Sequence, residues 1–210
     1  FWKKGLRVQK GILTIPIKHW KKANHNFTYT WGLIKNYGFK PQQINEVHKL
    51  LVANNGAYIA TPSYRFIKYN DAIQIIDNNT EKEHIIIHVA DGELQVNNGV
   101  LHFEMKEAIT LGEIKKEAKY AYLDADKLEW PLLFRTWQST DYFYPLGLRK
   151  KKKLNHFLGS LKLSPAAKQK TAVLSMGDKL LWVVGQRIDD RFKITDQTKN
   201  VLVITSIDKH

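Results

Sequence analysis

From Tyr58 onward the apolar residues fall into short segments, alternating or β-branched, divided by turn residues. This feature constrains the fold most. A period of two puts every second side chain on one face, so each segment must pair with a neighbour to bury that face. Tyr58-Ile59-Ala60, Tyr64 to Lys68 and Ala72 to Ile76 read as a strand meander. His84 to Val89 and Ala118 to Leu123 are further strands. Asp91-Gly92 and Asn98-Gly99 are hairpin signals, with Leu94 to Val96 and Val100 to Phe103 flanking them. After Pro131, Leu132 to Trp137, Tyr142-Phe143-Tyr144 and Val201 to Thr205 are strand-like. Val173-Leu174 and Leu180 to Val184 pair across Met176-Gly177-Asp178.

Helical spacing is confined to a few places. Residues 27–36 form a short helix stopped at Tyr37-Gly38, and Pro41 opens a second. In that second helix Ile44, Val47, Leu50 and Leu51 share a face, and Gly56 lies just past its end. Leu154, Phe157, Leu158 and Leu161 fit one face of a third. Before these, Leu6 to Val8 and Ile12 to Ile15 pair across Lys10-Gly11, and Pro16 ends the second strand. The expected class is α+β: a small helical and hairpin part, then a β-rich part with one helix. The expected divisions are residues 1–76, an acidic β-rich connecting segment 77–130, and a C-terminal domain 131–210 against which that segment packs. Hydrophobic residues make up 43% of the chain, enough for packed cores. No apolar run approaches the roughly 20 residues of a membrane-spanning helix, and no signal peptide is visible. Because the first residue is Phe1, a piece of a longer protein is expected.

The charge is distributed in blocks. Residues 1–45 hold nine basic residues and no acid, and residues 142–177 hold eight and no acid. Residues 71–130 hold thirteen acids against six basic residues. Acid-free basic blocks attract polyanions by counterion release, although any single lysine is explained equally well by solubility. Nucleic acid is the favoured partner. A membrane surface is not, because no basic stretch carries a long apolar face. Cysteine is absent, which excludes disulfides, thiolate zinc sites and cysteine nucleophiles and suits a reducing cytoplasm.

A self-contained active site is not visible. The chain has no phosphate-binding Gly-x-x-x-x-Gly-Lys-Ser/Thr, no Gly-x-Gly-x-x-Gly and no Gly-x-Ser-x-Gly. His84 and His88 are four apart, but on a strand that spacing spans roughly 13 Å, too far for one ion. Asp124, Asp126, Asp189 and Asp190 are readable as metal ligands or acid/base groups, and more readily as turn caps and partners of Lys127, Arg187 and Arg191. No catalytic or metal-binding residue is therefore assigned.

Residues 135–193 carry the sharper signal. Arg149 to Lys153 is an unbroken cationic run at the start of a helix. Five cations there suit a phosphate backbone, which positions RNA without reading its sequence. Trp137, Tyr142, Phe143 and Tyr144 are either core residues or base-stacking platforms. The blocks Arg-x-Trp-Gln-x-x-Asp-x-Phe-Tyr-Pro-Leu-Gly, Lys-Lys-Leu-x-x-Phe-Leu and Val-Val-Gly-x-Arg-Ile-Asp-x-Arg-Phe-Lys resemble the C-terminal domain of bacterial tRNA(Ile)-lysidine synthetases. Tyr37-Gly38-Phe39, Gly56 and Thr61-Pro62-Ser63-Tyr64-Arg65 resemble that family's middle region.

The resemblance implies an ATP-dependent ligase. Such an enzyme adenylates the wobble cytidine of the isoleucine tRNA with a CAU anticodon, and lysine then displaces AMP to give lysidine. ATP and Mg belong to an N-terminal domain with a Ser-Gly-Gly-x-Asp-Ser loop. That motif does not occur in these 210 residues, so no cofactor is expected here and the chain alone is expected to be inactive. The resemblance further implies a sandwich-like C-terminal domain that engages the acceptor stem. The RNA-binding candidates it implies are first Arg135 and Lys150, Lys151, Lys152 and Lys153. Next come Lys162 and Lys168, where the family often has Arg in place of Lys168, and then Arg187 and Arg191. These last two are equally readable as partners of Asp141, Asp189 or Asp190. Asp141 and Gly147 are expected to shape the loop and to touch nothing. A protein-interaction module, with a possible homodimer, is the other class considered.

Overall fold

The computed structural model describes residues 7–9, 12–22, 26–78, 83–88, 90–110 and 114–208. The chain divides into two compact units. One comprises Phe1–Glu81 with Leu163–Gln169; the other comprises Lys82–Lys162 with Lys170–His210.

The first unit is an antiparallel five-stranded sheet backed by short helices. Its strands are β1 (Arg7–Gln9), β2 (Ile12–Pro16), β3 (Tyr58–Ala60), β4 (Tyr64–Tyr69) and β5 (Ala72–Asp77), in the order β1-β2-β5-β4-β3. The turn expected at Lys10-Gly11 lies outside the described residues. Helices α1 (Ile17–Lys22), α2 (Phe27–Ile34) and α3 (Ile44–Leu51) lie between β2 and β3. The Asn26 side chain caps α2, accepting from the Thr28 and Tyr29 N–H groups at 2.9 and 3.3 Å. A 3-10 turn, Lys35–Tyr37, ends at Gly38 with φ +76°, a conformation that glycine adopts without strain. In α3 the residues Ile44, Val47, Leu50 and Leu51 are buried, the face expected from their spacing. They pack with Ile34, Phe66 and Ile73 in one core. Helix α1, in which Ile17 and Trp20 are buried, is not expected from the sequence, because six residues are too few to show a period.

The second unit is a sandwich of two antiparallel sheets. The five-stranded sheet runs β15-β14-β13-β10-β6 and the four-stranded sheet β7-β8-β16-β9. The strands are β6 (His84–Ile87), β7 (Gly92–Val96), β8 (Gly99–Glu107), β9 (Tyr120–Asp124), β10 (Leu132–Thr136), β11 (Tyr142–Phe143), β12 (Lys152–Lys153), β13 (Ala172–Met176), β14 (Lys179–Val183), β15 (Arg187–Ile188) and β16 (Asn200–Asp208). Helix α4 (Leu154–Ser160) follows β12 directly. Alternate residues of both sheets meet in one core: Leu132, Phe134 and Leu174 from one, Leu101, Leu123, Leu202 and Ile204 from the other. Strand β16 pairs with β8 over nine residues and with β9 on its other side, so the last strand is central to its sheet. In β14 the register slips by one residue, so Leu181 is extra and both it and Trp182 enter the core.

Two placements refine the sequence divisions. Strand β6 pairs with β10, so the acidic stretch after residue 82 is built into the same sandwich as the C-terminal residues. Conversely, α5 (Pro165–Gln169) packs in the first unit, where Ala166 is fully buried with Ile12, Ile67 and Ile76. The reason is burial: three small apolar faces of β2, β4 and β5 need a cover, and Ala166 supplies it.

Candidate nucleic-acid interface

The cationic run of the second unit is carried on a short ribbon. Strand β11 pairs with β12, Tyr142 opposite Lys153 and Phe143 opposite Lys152. Phe143 is fully buried and meets Phe157 of α4 edge to face, ring centroids 5.0 Å apart. Lys152 and Lys153 are thus strand residues, one step before the expected helix start. The helix has seven residues, and its Leu154 N–H donates to the Asp141 carbonyl at 2.8 Å.

Two buried carboxylates anchor the ends of the loop. Asp141, 9% exposed, accepts both terminal nitrogens of Arg135 at 2.8 Å and the Gln138 N–H at 2.7 Å. Arg135 is itself 11% exposed. This fork-to-fork pair explains the Arg-x-Trp-Gln-x-x-Asp spacing: Arg135 lies near the end of β10, and the turn at Gln138 brings Asp141 back beneath it. Arg135, expected among the first phosphate ligands, has its charge neutralised inside the protein.

Asp189 performs the same task at the other end. It is fully buried and accepts the Tyr144 N–H at 3.0 Å, together with the Arg191 N–H, Nε and Nη2 at 2.9, 2.9 and 2.8 Å. Strands β14 and β15 form the hairpin that places it, and the Asp189 N–H continues their ladder by donating to the Leu181 carbonyl. Gly185, at φ +69°, turns this hairpin. The hydrogen bonds to Asp189 and that carboxylate's charge raise the Arg191 pKa against desolvation. The Arg191 guanidinium also covers the Tyr144 ring at 4.5 Å. Arg191 is thus tied to Asp189 while its side chain stays 34% exposed.

Asp190 braces the loop tip. Its carboxylate accepts the Gly147 N–H at 3.3 Å and Lys193 Nζ at 3.1 Å. Desolvation raises its pKa, but these bonds and the charges of Lys193 and Arg149 outweigh it, so the carboxyl lies below its ordinary range. Gly147 therefore touches a partner as well as shaping the turn; its φ is +86°. Sequence reasoning does not find Asp190 as the brace of the cationic loop. The acid that follows Asp189 in the Ile-Asp-x-Arg-Phe-Lys block is the only signal for it.

What remains displayed is the lysine run. Lys150, Lys151 and Lys153 are exposed, as is Arg149 at φ +46°, and Lys152 is half-buried. Among the described residues none of the four lysines is paired with a carboxylate. Lys151 Nζ stands 3.5 Å above the Tyr142 ring and Lys152 Nζ 5.7 Å from Phe157. One face of Tyr142 and one of Tyr144 are thus covered by cations, and Phe143 is core. Arg187 is exposed and donates to the Leu146 carbonyl at 3.3 Å, beside the loop tip. Lys162 is exposed at φ +53° in the second unit, and Lys168 lies on α5 in the first. The site therefore gathers Lys150 to Lys153 and Arg187, whereas Lys168 belongs to the other unit.

The other candidate groups have structural partners. Asp124 pairs with Lys127 at 2.7 Å. Asp126 accepts the Lys199 N–H and the Asn200 amide at 2.6 and 2.8 Å, tying down the start of β16. His84 and His88 are both exposed, at and just beyond β6. Among the described residues no three His, Asp or Glu side chains converge on a metal position. No described helix is long and apolar enough to cross a membrane.

Comparison with known proteins places two family models on the chain. The TilS substrate binding domain matches residues 8–78, and the TilS substrate C-terminal domain matches residues 132–205. A tRNA(Ile)-lysidine synthase of Parabacteroides distasonis is 33% identical over 179 residues, 84% of this chain and 40% of that protein. One from Bacteroides thetaiotaomicron is 30% identical over 166 residues, 79% of this chain and 36% of that protein. The chain thus spans about two fifths of the length of these relatives. A crystal structure of a TilS C-terminal domain superposes with a TM-score of 0.53 at 15% identity, covering 61% of this chain and 99% of that one. That likeness concerns the fold.

Proposed function

Because the chain belongs to the tRNA(Ile)-lysidine synthase family through its TilS substrate-binding and C-terminal domains, we propose that it is the tRNA-recognition portion of an ATP-dependent ligase. The parent enzyme would join lysine to the wobble cytidine of the CAU-anticodon isoleucine tRNA through a C–N bond. No step of that chemistry is assigned to a residue of this chain, whose part is to bind and orient the tRNA. The observation that carries the reading is the lysine run Lys150 to Lys153. It is held on a ribbon whose ends are fixed by Asp141 and Asp189, and its charges are left for an external anion. Such cations contact phosphates and position the RNA backbone. The same reading gives Arg135 and Arg191 a supporting role and adds Arg149 and Arg187 as further phosphate ligands beside the run.

The test is a salt titration of binding to the isoleucine CAU tRNA, with the methionine tRNA of the same anticodon as competitor. Replacing Lys150 to Lys153 by Ala is expected to reduce the slope of log K against log salt by roughly 0.7–0.9 for each phosphate no longer neutralised. An unchanged slope removes the four lysines from the interface. Preference for the isoleucine tRNA would place part of the discrimination in this chain. Equal binding to both would leave it with backbone positioning alone.

A further inference from the structure

The tip of the cationic loop is apolar. Leu146 and Leu148 are 38% and 50% exposed, and they stand on either side of Gly147. Turn tips ordinarily carry residues that bond water or their own backbone. Here the backbone of the tip is already satisfied by protein. The Leu146 N–H donates to the Ile188 carbonyl at 3.0 Å, the Gly147 N–H to Asp190, and the Leu148 N–H to the Pro145 carbonyl at 2.9 Å. The tip is therefore a fixed turn that holds both leucines out. Cations flank it from two parts of the chain. Arg149 to Lys151 come directly after Leu148, and Arg187, from β15, bonds the Leu146 carbonyl at 3.3 Å.

We propose that Leu146 and Leu148 form an apolar ridge that enters the minor groove of double-stranded RNA, with Arg187 on one flank and Arg149 to Lys151 on the other meeting the phosphates that border it. The minor groove of A-form RNA is wide and shallow and displays riboses and base edges, so it admits a two-leucine turn. The B-form minor groove, about 6 Å wide, admits such a ridge only where the duplex is kinked and unstacked, which costs energy. A bare apolar patch would suit a protein partner. The acid-free stretch 142–177 and cations on both sides of the ridge favour a polyanion instead. This inference rests on the RNA-binding reading above and adds to it a means of telling duplex RNA from duplex DNA by shape.

The experiment compares the 210-residue chain with Leu146→Ser/Leu148→Ser, using one RNA hairpin with a fully paired stem and the DNA hairpin of the same sequence. Net charge is unchanged, so the salt slope is expected to stay the same. RNA affinity is expected to fall on the order of tenfold, the loss anticipated from two partly exposed leucines that no longer bury apolar surface. Affinity for the DNA hairpin is expected not to change. If the double variant unfolds, Leu146→Asn and Leu148→Asn, each suited to a turn, are measured singly. Unchanged RNA affinity, or equal losses on RNA and DNA, would overturn the groove assignment while leaving the lysine reading intact. Failure of the parent chain to bind either hairpin would overturn both.

Discussion

Arg135 separates a scaffold role from a phosphate-binding role. Its guanidinium makes two 2.8 Å bonds to Asp141, and both side chains are nearly excluded from water. In Arg135→Lys a single ammonium replaces the planar fork. One charge-assisted bond is lost, and the second unit should lose about 1.5–3 kcal/mol. In Arg135→Ala the Asp141 carboxylate keeps only the Gln138 N–H, and breaking such a buried pair costs about 3–5 kcal/mol. Urea unfolding followed by tryptophan fluorescence measures both, since Trp182 is fully buried in this unit. Tryptophans elsewhere in the chain also report, so amide exchange within β10 and β13 identifies the unit affected. RNA binding, measured well below the unfolding transition, should keep the parent salt slope in both variants. A phosphate-binding arginine predicts the reverse. Arg135→Lys would then be as stable as the parent, and Arg135→Ala would flatten the slope by roughly 0.7–0.9. That result would refute the scaffold argument.

The Asp190 carboxyl lies below its ordinary range, so its bracing of the loop is complete above the unfolded value of about 3.9 and is lost as pH falls through the lower folded value. The Gly147 amide resonance should follow that acid titration, and in Asp190→Asn the titration should vanish; an amide shift that persists in the variant would assign it to another group. Gly99 opens β8, and a Cβ there would overlap the Ile207 carbonyl of the paired strand. Gly99→Ala should destabilise the sandwich by about 1–3 kcal/mol, the usual cost of overpacking, and an equally stable variant would show that the β8–β16 pair shifts freely.

Local chemistry is legible in the sequence. The helix stop at Gly38, the buried face of α3 and the hairpin at Asn98-Gly99 all depend on residues close in the chain, whereas α3 ends at Leu51, well before the stop expected at Gly56. The hairpin across Gly177 is likewise legible, but its one-residue slip at Leu181 is not, because a bulge is chosen by which side chains the core can accept. The six residues of α1 and the five of α5 are too short to show a period. The 3-10 turn Pro41–Gln43 ahead of α3 moves that helix start by one turn.

The alternation that makes antiparallel sheets, the segregation of charge into blocks, and the lysine run with the motifs around it are all legible in the amino-acid order. These properties are written in neighbouring residues, where period, turn chemistry and charge act directly. Which cations have a carboxylate partner inside the protein emerges only on folding. Arg135 ranks with the lysines, and Arg191 stands open between two roles, until Asp141 and Asp189 are folded against them, six residues away in one case and two in the other. Arg187 reaches the loop tip from forty-one residues away. A charge counts toward binding only after its internal partners are subtracted. Those partners are set by strand pairing across the chain, which long-range burial selects and local sequence does not record.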